Sequence, residues 1–237
     1  MHLKDDWLRL GHTVKITESP TYMRHRNKPV VGLWGVGFTH VHLTPAEAGA
    51  LLDFFKGQGV TLMGGVPTYW RTLRLDSRTD LDWANIYRRF DILSPWMVGR
   101  IRTPADAVSF AREVTKGDIA ATTAAGVDYM PTVFPGFSWY NLKQGRSPLN
   151  AIPRLCGTFY NIQVKSVLSA GAKMLFTAMF DEVDEGTAIF KIVRRPAELP
   201  VDANLLAPDQ SGCDPGSDLY LRLAGDATRH VRQAVSK

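Results

Sequence analysis

The residues best suited to chemistry in this sequence are four carboxylates that lie close together after an apolar run. They follow residues 174–180 and are Asp181, Glu182, Asp184 and Glu185. Like charges at this spacing repel one another, and repulsion with partial burial raises the pKa of some carboxyl groups. General acid–base catalysis needs a protonated carboxyl beside an ionised one. The pattern favours a catalytic pair, while a solvated acidic turn and a Mg²⁺ or Ca²⁺ site are the two other interpretations.

Short apolar runs, each ending in Gly, Pro or an aromatic residue, predict the strands that position these carboxylates. Continuous apolar runs of this length are typical of parallel strands buried on both faces. Helix start signals lie between the runs: Thr44-Pro45 and Thr103-Pro104 each open with an N-cap, a proline and an acidic residue two positions later. The alternation predicts βα units and a parallel sheet. The runs are residues 29–34, 60–66, 90–95, 129–135 and 174–180.

The ends of these predicted strands carry aromatic residues or carboxylates. Delivery of such side chains to one face is typical of the active-site rim of a (β/α)₈ TIM-type barrel, and the flat face of a sugar ring stacks well on aromatics. The alternative is that the aromatics simply fill the core. The sequence Gly35-Val36-Gly37 lacks the third glycine of a dinucleotide-binding motif, so a dinucleotide site is not expected. The candidate substrate-binding residues are Trp34, Tyr69, Trp70, Trp96, Phe137, Trp139 and Asp181.

The length of 237 residues accommodates about five βα units, not eight. We therefore expect residues 1–195 to form the C-terminal part of a barrel domain, and residues 196–237 to form a Pro- and Gly-rich excursion and a closing helix of the same domain. The strands at 29–34 and 174–180 would then lie at sheet edges. Unpaired edges favour self-association or pairing with a further N-terminal segment.

Composition narrows the classes of partner. The net charge is +5, but the basic residues are scattered, so no nucleic-acid partner is expected. No apolar stretch reaches the ~18 residues of a membrane span, and the first ten residues do not form a signal peptide. The two cysteines, Cys156 and Cys213, have no metal-ligand spacing and are interpreted as ordinary thiols, with a single bridge left open.

Several stretches together resemble bacterial proteins of the group that joins glycoside hydrolase families 71 and 99, some of which carry the names xylosidase or arabinosidase. The resemblance extends from about Trp7 to Lys191. The matching stretches are residues 16–20, 25–38, 65–71, 94–96, 134–139 and 180–187.

Family 99 contains endo-acting α-mannosidases on a (β/α)₈ barrel. The resemblance maps the family's Glu-x-x-Glu pair onto Glu182 and Glu185, and it implies a retaining hydrolase with a glycan substrate, no metal and no organic cofactor. In the family route the first glutamate is the general base on the 2-hydroxyl and the second is the general acid. In the commoner retaining route the first is a nucleophile. Val183-Asp184 replaces the family's Trp-His pair. A non-catalytic glycan-binding fragment and a metal-dependent hydrolase are the alternatives.

Overall fold

The computed structural model describes residues 2–208, 212–213 and 216–236. The chain has a mixed α/β fold in which most strand pairs are parallel. It divides into two compact units. The first unit is Met1–Trp96 with Ala121–Asp128, and the second unit is Met97–Ala120 with Tyr129–Lys237.

A five-stranded sheet, which belongs to the first unit except for Tyr129 in its last strand, has the strand order β1-β2-β3-β4-β5. β2 and β3 are parallel, as are β3 and β4, with Trp34 opposite Gly65 and Val66 opposite Pro95. The predicted strands at 29–34, 60–66 and 90–95 are confirmed. The strands are β1 (Arg24–His25), β2 (Lys28–Trp34), β3 (Thr61–Val66), β4 (Ile92–Pro95) and β5 (Asp128–Tyr129).

The expectation that β2 lies at a sheet edge was wrong for its first residues. β1 pairs antiparallel with the beginning of β2, so that Arg24 lies opposite Pro29. Asn27, at φ 65°, lies in the tight turn between the two strands, a conformation that asparagine tolerates better than most residues. This hairpin covers only the first residues of β2.

Helices cover the sheet of the first unit. The Thr44 hydroxyl accepts from Glu47 N while the Glu47 carboxylate accepts from Thr44 N, so the predicted capping box is present. α2 buries Leu52 and Phe55 in a core with Leu62 of β3. The helices are α1 (His2–Leu8), α2 (Pro45–Gly57) and α3 (Asp82–Tyr87), with a π-helical turn at Arg9–Thr13 and a 3₁₀ turn at Ile16–Glu18.

The second unit combines helices with a short parallel strand pair, in which Thr132 lies opposite Phe176. α4 begins with the second predicted capping box, between Thr103 and Asp106. The elements are α4 (Pro104–Phe110), a π-helical turn (Ala111–Thr115), α5 (Lys116–Ala124, which crosses the unit boundary), β6 (Thr132–Val133), a 3₁₀ turn (Leu155–Gly157), α6 (Thr158–Ser169), β7 (Phe176–Thr177), a 3₁₀ turn (Pro196–Glu198) and α7 (Leu219–Val235).

The predicted strand at residues 129–135 is two short strands, β5 and β6. Pro131 lies between them, and proline has no N–H to donate to a ladder. Its carbonyl still accepts from Phe176 N at 3.0 Å, which starts the pairing of β6 with β7. A proline therefore divides a run that is apolar enough to form one strand.

The interpretation of the cysteines as ordinary thiols was wrong. Cys156 and Cys213 form a disulfide with their Cα atoms 6.1 Å apart. The partners are 57 residues apart in sequence, and no local pattern marks such a pair. The bond joins the 3₁₀ turn before α6 to the segment that precedes α7. No described helix is long and apolar enough to cross a membrane.

Replacing both cysteines, as Cys156→Ser with Cys213→Ser, should lower the free energy of unfolding by about 2–4 kcal/mol, because the bond restricts the unfolded chain. Urea unfolding of the oxidised protein and of the double variant measures the difference. Thiol titration of the denatured, unreduced protein should find no free thiol. Two reactive thiols and equal stabilities would contradict the pairing.

Candidate active site

The four carboxylates lie on a turn that is closed by main-chain hydrogen bonds across its neck. We call residues 181–187 the acidic turn. Ile189 N donates to Met179 O at 3.0 Å, and Phe190 N donates to Phe180 O at 2.8 Å. The Phe180 and Phe190 rings meet edge to face with their centroids 5.2 Å apart. The acidic turn therefore projects from a short, doubly bonded neck.

Three donors from outside the acidic turn each bind the main-chain carbonyl of one of three successive turn residues. The pairs are Asn141 Nδ2 with Asp184 O at 2.9 Å, the Ser138 amide with Glu185 O at 2.7 Å, and Arg154 Nη2 with Gly186 O at 2.8 Å. Arg154 Nε adds a second bond to the same Gly186 oxygen at 3.2 Å. These bonds fix the main chain of the acidic turn without using its glutamate carboxylates.

Gly186 has a backbone conformation that other residues rarely adopt. Its φ is +68°, and a Cβ there would lie 2.8 Å from Leu206 Cδ1. The conformation therefore favours glycine, and a Cβ would also displace the Leu206 side chain. Beyond it, the Thr187 and Ala188 amides both donate to Glu182 O at 3.2 Å, which curls the end of the turn back onto Glu182.

The two glutamates of the turn lie in different electrostatic environments. Burial raises the pKa of Glu185 to about 7, and the charges of Glu182 and Asp184 add to the effect. Burial also raises the pKa of Glu182, as do Asp184 and Asp181, but the Thr187 hydroxyl donates to Glu182 Oε2 at 3.2 Å and opposes the rise. At neutral pH Glu185 is therefore partly protonated. Asp181 is exposed on the same turn.

Two predicted aromatics of the second unit lie beside the donor that holds Glu185. Phe137 and Trp139 flank Ser138 and meet edge to face, with centroids 4.6 Å apart. Phe137 is 5 % exposed and belongs to the core, whereas Trp139 is partly exposed. Arg102 Cζ and Lys143 Nζ lie 5.5 and 5.9 Å from the centre of the Trp139 ring, within the range of cation–π attraction.

The other four predicted aromatics belong to the first unit, where two of them meet at the ends of β2 and β4. Trp34 is 44 % exposed, and its ring lies edge to face with Trp96 at 5.2 Å. The Trp34 ring also rests on Gly65 of β3, where a Cβ would collide with it. Tyr69 is partly exposed, whereas Trp70 is 4 % exposed and packs on Tyr87 in the core.

Several residues that organise these regions were missed by sequence reasoning. In the first unit, Asp76 accepts from the amides of Thr68 and Tyr69 and so orders the loop after β3. In the second unit, Asn141 and Arg154 hold the acidic turn. Each acts on a main-chain group, and none lies in a recognisable motif. In the part of the chain that the structure describes, no three His, Cys, Asp or Glu side chains are grouped as metal ligands.

No protein-family model matches the sequence. No curated protein matches it either. Solved structures do match. One is the GH99 endo-α-mannosidase from Bacteroides thetaiotaomicron in complex with bis-tris-propane, with a TM-score of 0.71 and 17% identity over 99% of this chain and 67% of that chain. A second structure of the GH99 endo-α-mannosidase from that species has a TM-score of 0.70 and 17% identity over 98% and 62%.

A third match is a glycoside hydrolase-like protein, with a TM-score of 0.55 and 15% identity over 95% of this chain and 60% of that one. The chain thus spans about two thirds of the length of the structures it resembles. At this identity the likeness concerns the fold. The predicted fold class is confirmed: the chain has an α/β fold of the (β/α)₈ TIM-barrel type, like that of GH99 endo-α-mannosidase, with about five βα units present.

Proposed function

We propose that this chain is the C-terminal part of a retaining glycoside hydrolase, with Glu182 and Glu185 as its catalytic pair. The acidic turn carries the proposal. Its main chain is held at three successive carbonyls, and burial with neighbouring charge raises the pKa of Glu185 to about 7. Such a pair of carboxyl groups with separated pKa values suits glycoside hydrolysis.

Glu185 is the general acid in this proposal. With a pKa of about 7 it retains a proton at neutral pH, and it can transfer that proton to the glycosidic oxygen as the bond from C1 breaks. Glu182 is the partner that acts as a carboxylate in this proposal: burial raises its pKa, but a hydrogen bond from Thr187 opposes that rise. It either attacks C1 or removes the proton of the 2-hydroxyl, whose oxygen then attacks C1.

The second half of the reaction reverses these roles. The Glu185 carboxylate takes a proton from water, and the water oxygen bonds to C1. In the nucleophile route Glu182 leaves C1 as a carboxylate. In the 1,2-anhydro route the C1–O2 bond breaks and Glu182 returns the proton to O2. Both routes retain configuration, and neither needs a metal or an organic cofactor.

The substrate we propose is an α-linked mannan or a related hemicellulosic glycan. The endo-α-mannosidase likeness supports the first, and the resemblance to family 71/99 proteins named xylosidase or arabinosidase supports the second. In the second unit, Trp139 would stack on a sugar ring, supported by the buried Phe137 beside it. In the first unit, Trp34, Tyr69 and Trp96 would contact sugar rings, and the buried Trp70 would support the loop that carries Tyr69.

The extent of the domain is also part of the proposal. We assign residues 1–195 to the C-terminal part of a barrel domain and residues 196–237 to the same domain. The contact of Tyr220, in α7, with Arg154 supports the second assignment. Pairing of a sheet edge with a further N-terminal segment or with a second copy stays a prediction. Hydrolysis by the whole enzyme would require all the strands that form its active site.

Substituting either glutamate, as Glu182→Gln or Glu185→Gln, should lower turnover of an α-mannan oligosaccharide about 10²–10⁴-fold, because glutamine cannot exchange the proton. Affinity should change little, since glutamine keeps the shape. Reducing-end assays give kcat, and calorimetric titration with the oligosaccharide gives Kd.

Glu113→Gln is the matched control, since Glu113 is an exposed glutamate of the second unit paired with Arg112. It should keep wild-type turnover. Near-normal rates in Glu185→Gln would remove that residue from the mechanism. Binding without turnover in the wild type would favour a glycan-binding role, and loss of turnover with EDTA would favour a metal-dependent hydrolase.

The raised pKa of Glu185 also makes a prediction about stability. A carboxyl whose folded pKa is raised stabilises the fold below its unfolded pKa, and that contribution is lost as pH rises through the folded value. Wild-type stability should therefore fall relative to Glu185→Gln between pH 4.5 and about 7 and stay parallel above. The difference should be about 1 kcal/mol, since the half-exposed group is screened by solvent.

Urea unfolding at a series of pH values measures this difference. In an active enzyme, kcat/KM should decline above about pH 7 as Glu185 loses its proton. Parallel stability curves for wild type and Glu185→Gln across the whole range would contradict the assignment.

A further inference from the structure

Arg154 is a buried cation whose burial needs an explanation. The residue is 2 % exposed, and burial lowers the pKa of its guanidinium, which shows that desolvation disfavours the charge. Buried charges normally pair with an opposite charge. Here the guanidinium fork binds an uncharged acceptor, the carbonyl of Gly186, through both Nε and Nη2.

The acceptor lies within the acidic turn, directly after Glu185. Two donors converging on one carbonyl fix the plane of the peptide between Gly186 and Thr187, because the fork is planar and rigid. The preceding carbonyl, Glu185 O, is held by the amide of Ser138. The main chain on the C-terminal side of Glu185 is thus held at two successive peptides, and this sets the direction in which the Glu185 side chain leaves the turn.

A ring of the C-terminal helix completes the enclosure of Arg154. The guanidinium lies over the ring of Tyr220, with Cζ 4.6 Å from the ring centre. Tyr220 is in the first turn of α7 and is 3 % exposed. Leu223, one turn further along α7, packs on Gly157 so closely that a Cβ there would displace the Leu223 side chain. α7 therefore covers both Arg154 and the turn that follows it.

The segment that carries Arg154 is fixed on both sides. Before it, Ile152 and Phe137 exchange two main-chain hydrogen bonds of 2.9 Å, next to Ser138. After it, Cys156 is joined to Cys213 by the disulfide. These constraints hold the main chain near Arg154 in place, so that its side chain links α7 to the acidic turn.

We propose that Arg154 is a positioning residue for the Glu182–Glu185 pair, held in place by Tyr220, so that α7 takes part in forming the site. This inference rests on the proposed function for its catalytic meaning. If Arg154 only filled space, it would stabilise the fold without affecting the environment of Glu185. If Arg154 holds the main chain of the acidic turn, it keeps Glu185 half-buried and close to Glu182, and its loss lets water reach the Glu185 carboxyl.

The test measures the titration of Glu185 directly, by NMR of protein labelled with ¹³C at the glutamate carboxyl carbons. The Glu185→Gln variant assigns the signal. Two variants, Arg154→Lys and Tyr220→Leu, keep a cation at position 154, so neither removes a positive charge from the site. Arg78→Lys in the first unit is the matched control, because Arg78 likewise donates to a main-chain carbonyl, that of Val41 at 2.7 Å.

The wild-type signal should titrate with a pKa of about 7. In Arg154→Lys and Tyr220→Leu it should fall by about one unit or more, because the carboxyl becomes hydrated. The control should titrate as the wild type does. Thermal melts identify folded variants, and if Arg154→Lys does not fold, Tyr220→Leu alone decides. An unchanged or raised pKa of Glu185 in a folded variant would overturn the proposal.

Turnover separates this inference from the proposed function. If the wild type hydrolyses an α-mannan oligosaccharide, Arg154→Lys should lose about tenfold in kcat at constant KM, and the alkaline limb of its pH profile should move to lower pH. If the wild type shows no hydrolysis while the Glu185 signal still shifts in the variants, the proposed function fails and the positioning role stands.

Discussion

The acidic turn depends on one constraint: three successive main-chain carbonyls, those of Asp184, Glu185 and Gly186, are each held by a donor from elsewhere in the second unit. A turn with four carboxylates would otherwise open, because mutual repulsion and hydration of the side chains both favour an extended, solvated loop. Binding through carbonyls resists this without neutralising any of the four charges. Repulsion is thereby retained in the folded state.

Burial then acts unequally on the two glutamates. Glu182 is close to the Thr187 hydroxyl, which compensates part of its desolvation, whereas the pKa of Glu185 rises to about 7. Burial and neighbouring charges raise the pKa of both glutamates, and a hydrogen bond from Thr187 opposes the rise at Glu182. A single turn of seven residues supplies both environments.

Local sequence patterns predicted three strands and two helix caps, whereas the strand predicted at 174–180 forms only over Phe176–Thr177. Apolar runs and short-range hydrogen bonds involve residues that are close in sequence, so they can be recognised from the sequence alone. They account for the strands at 29–34, 60–66 and 90–95 and for the caps at Thr44 and Thr103. The acidic turn was found because its charges are adjacent. The residues that hold the acidic turn were not found, because Asn141 and Arg154 lie 43 and 32 residues from the carbonyls that they bind. The disulfide, which joins residues 57 apart, was missed for the same reason.

The carbonyl anchoring has a consequence for how such a site diversifies. Because the three donors hold the main chain, the side chains of Val183 and Asp184 take no part in keeping the turn folded, and both are exposed. Exchange of Val183 leaves the main-chain anchors in place, whereas exchange of Asp184 also removes a charge that raises the pKa of both glutamates. The shape of the stretch between the glutamates can therefore vary while the main chain of the turn stays anchored, but its charge cannot vary without changing the proton affinity of its neighbours.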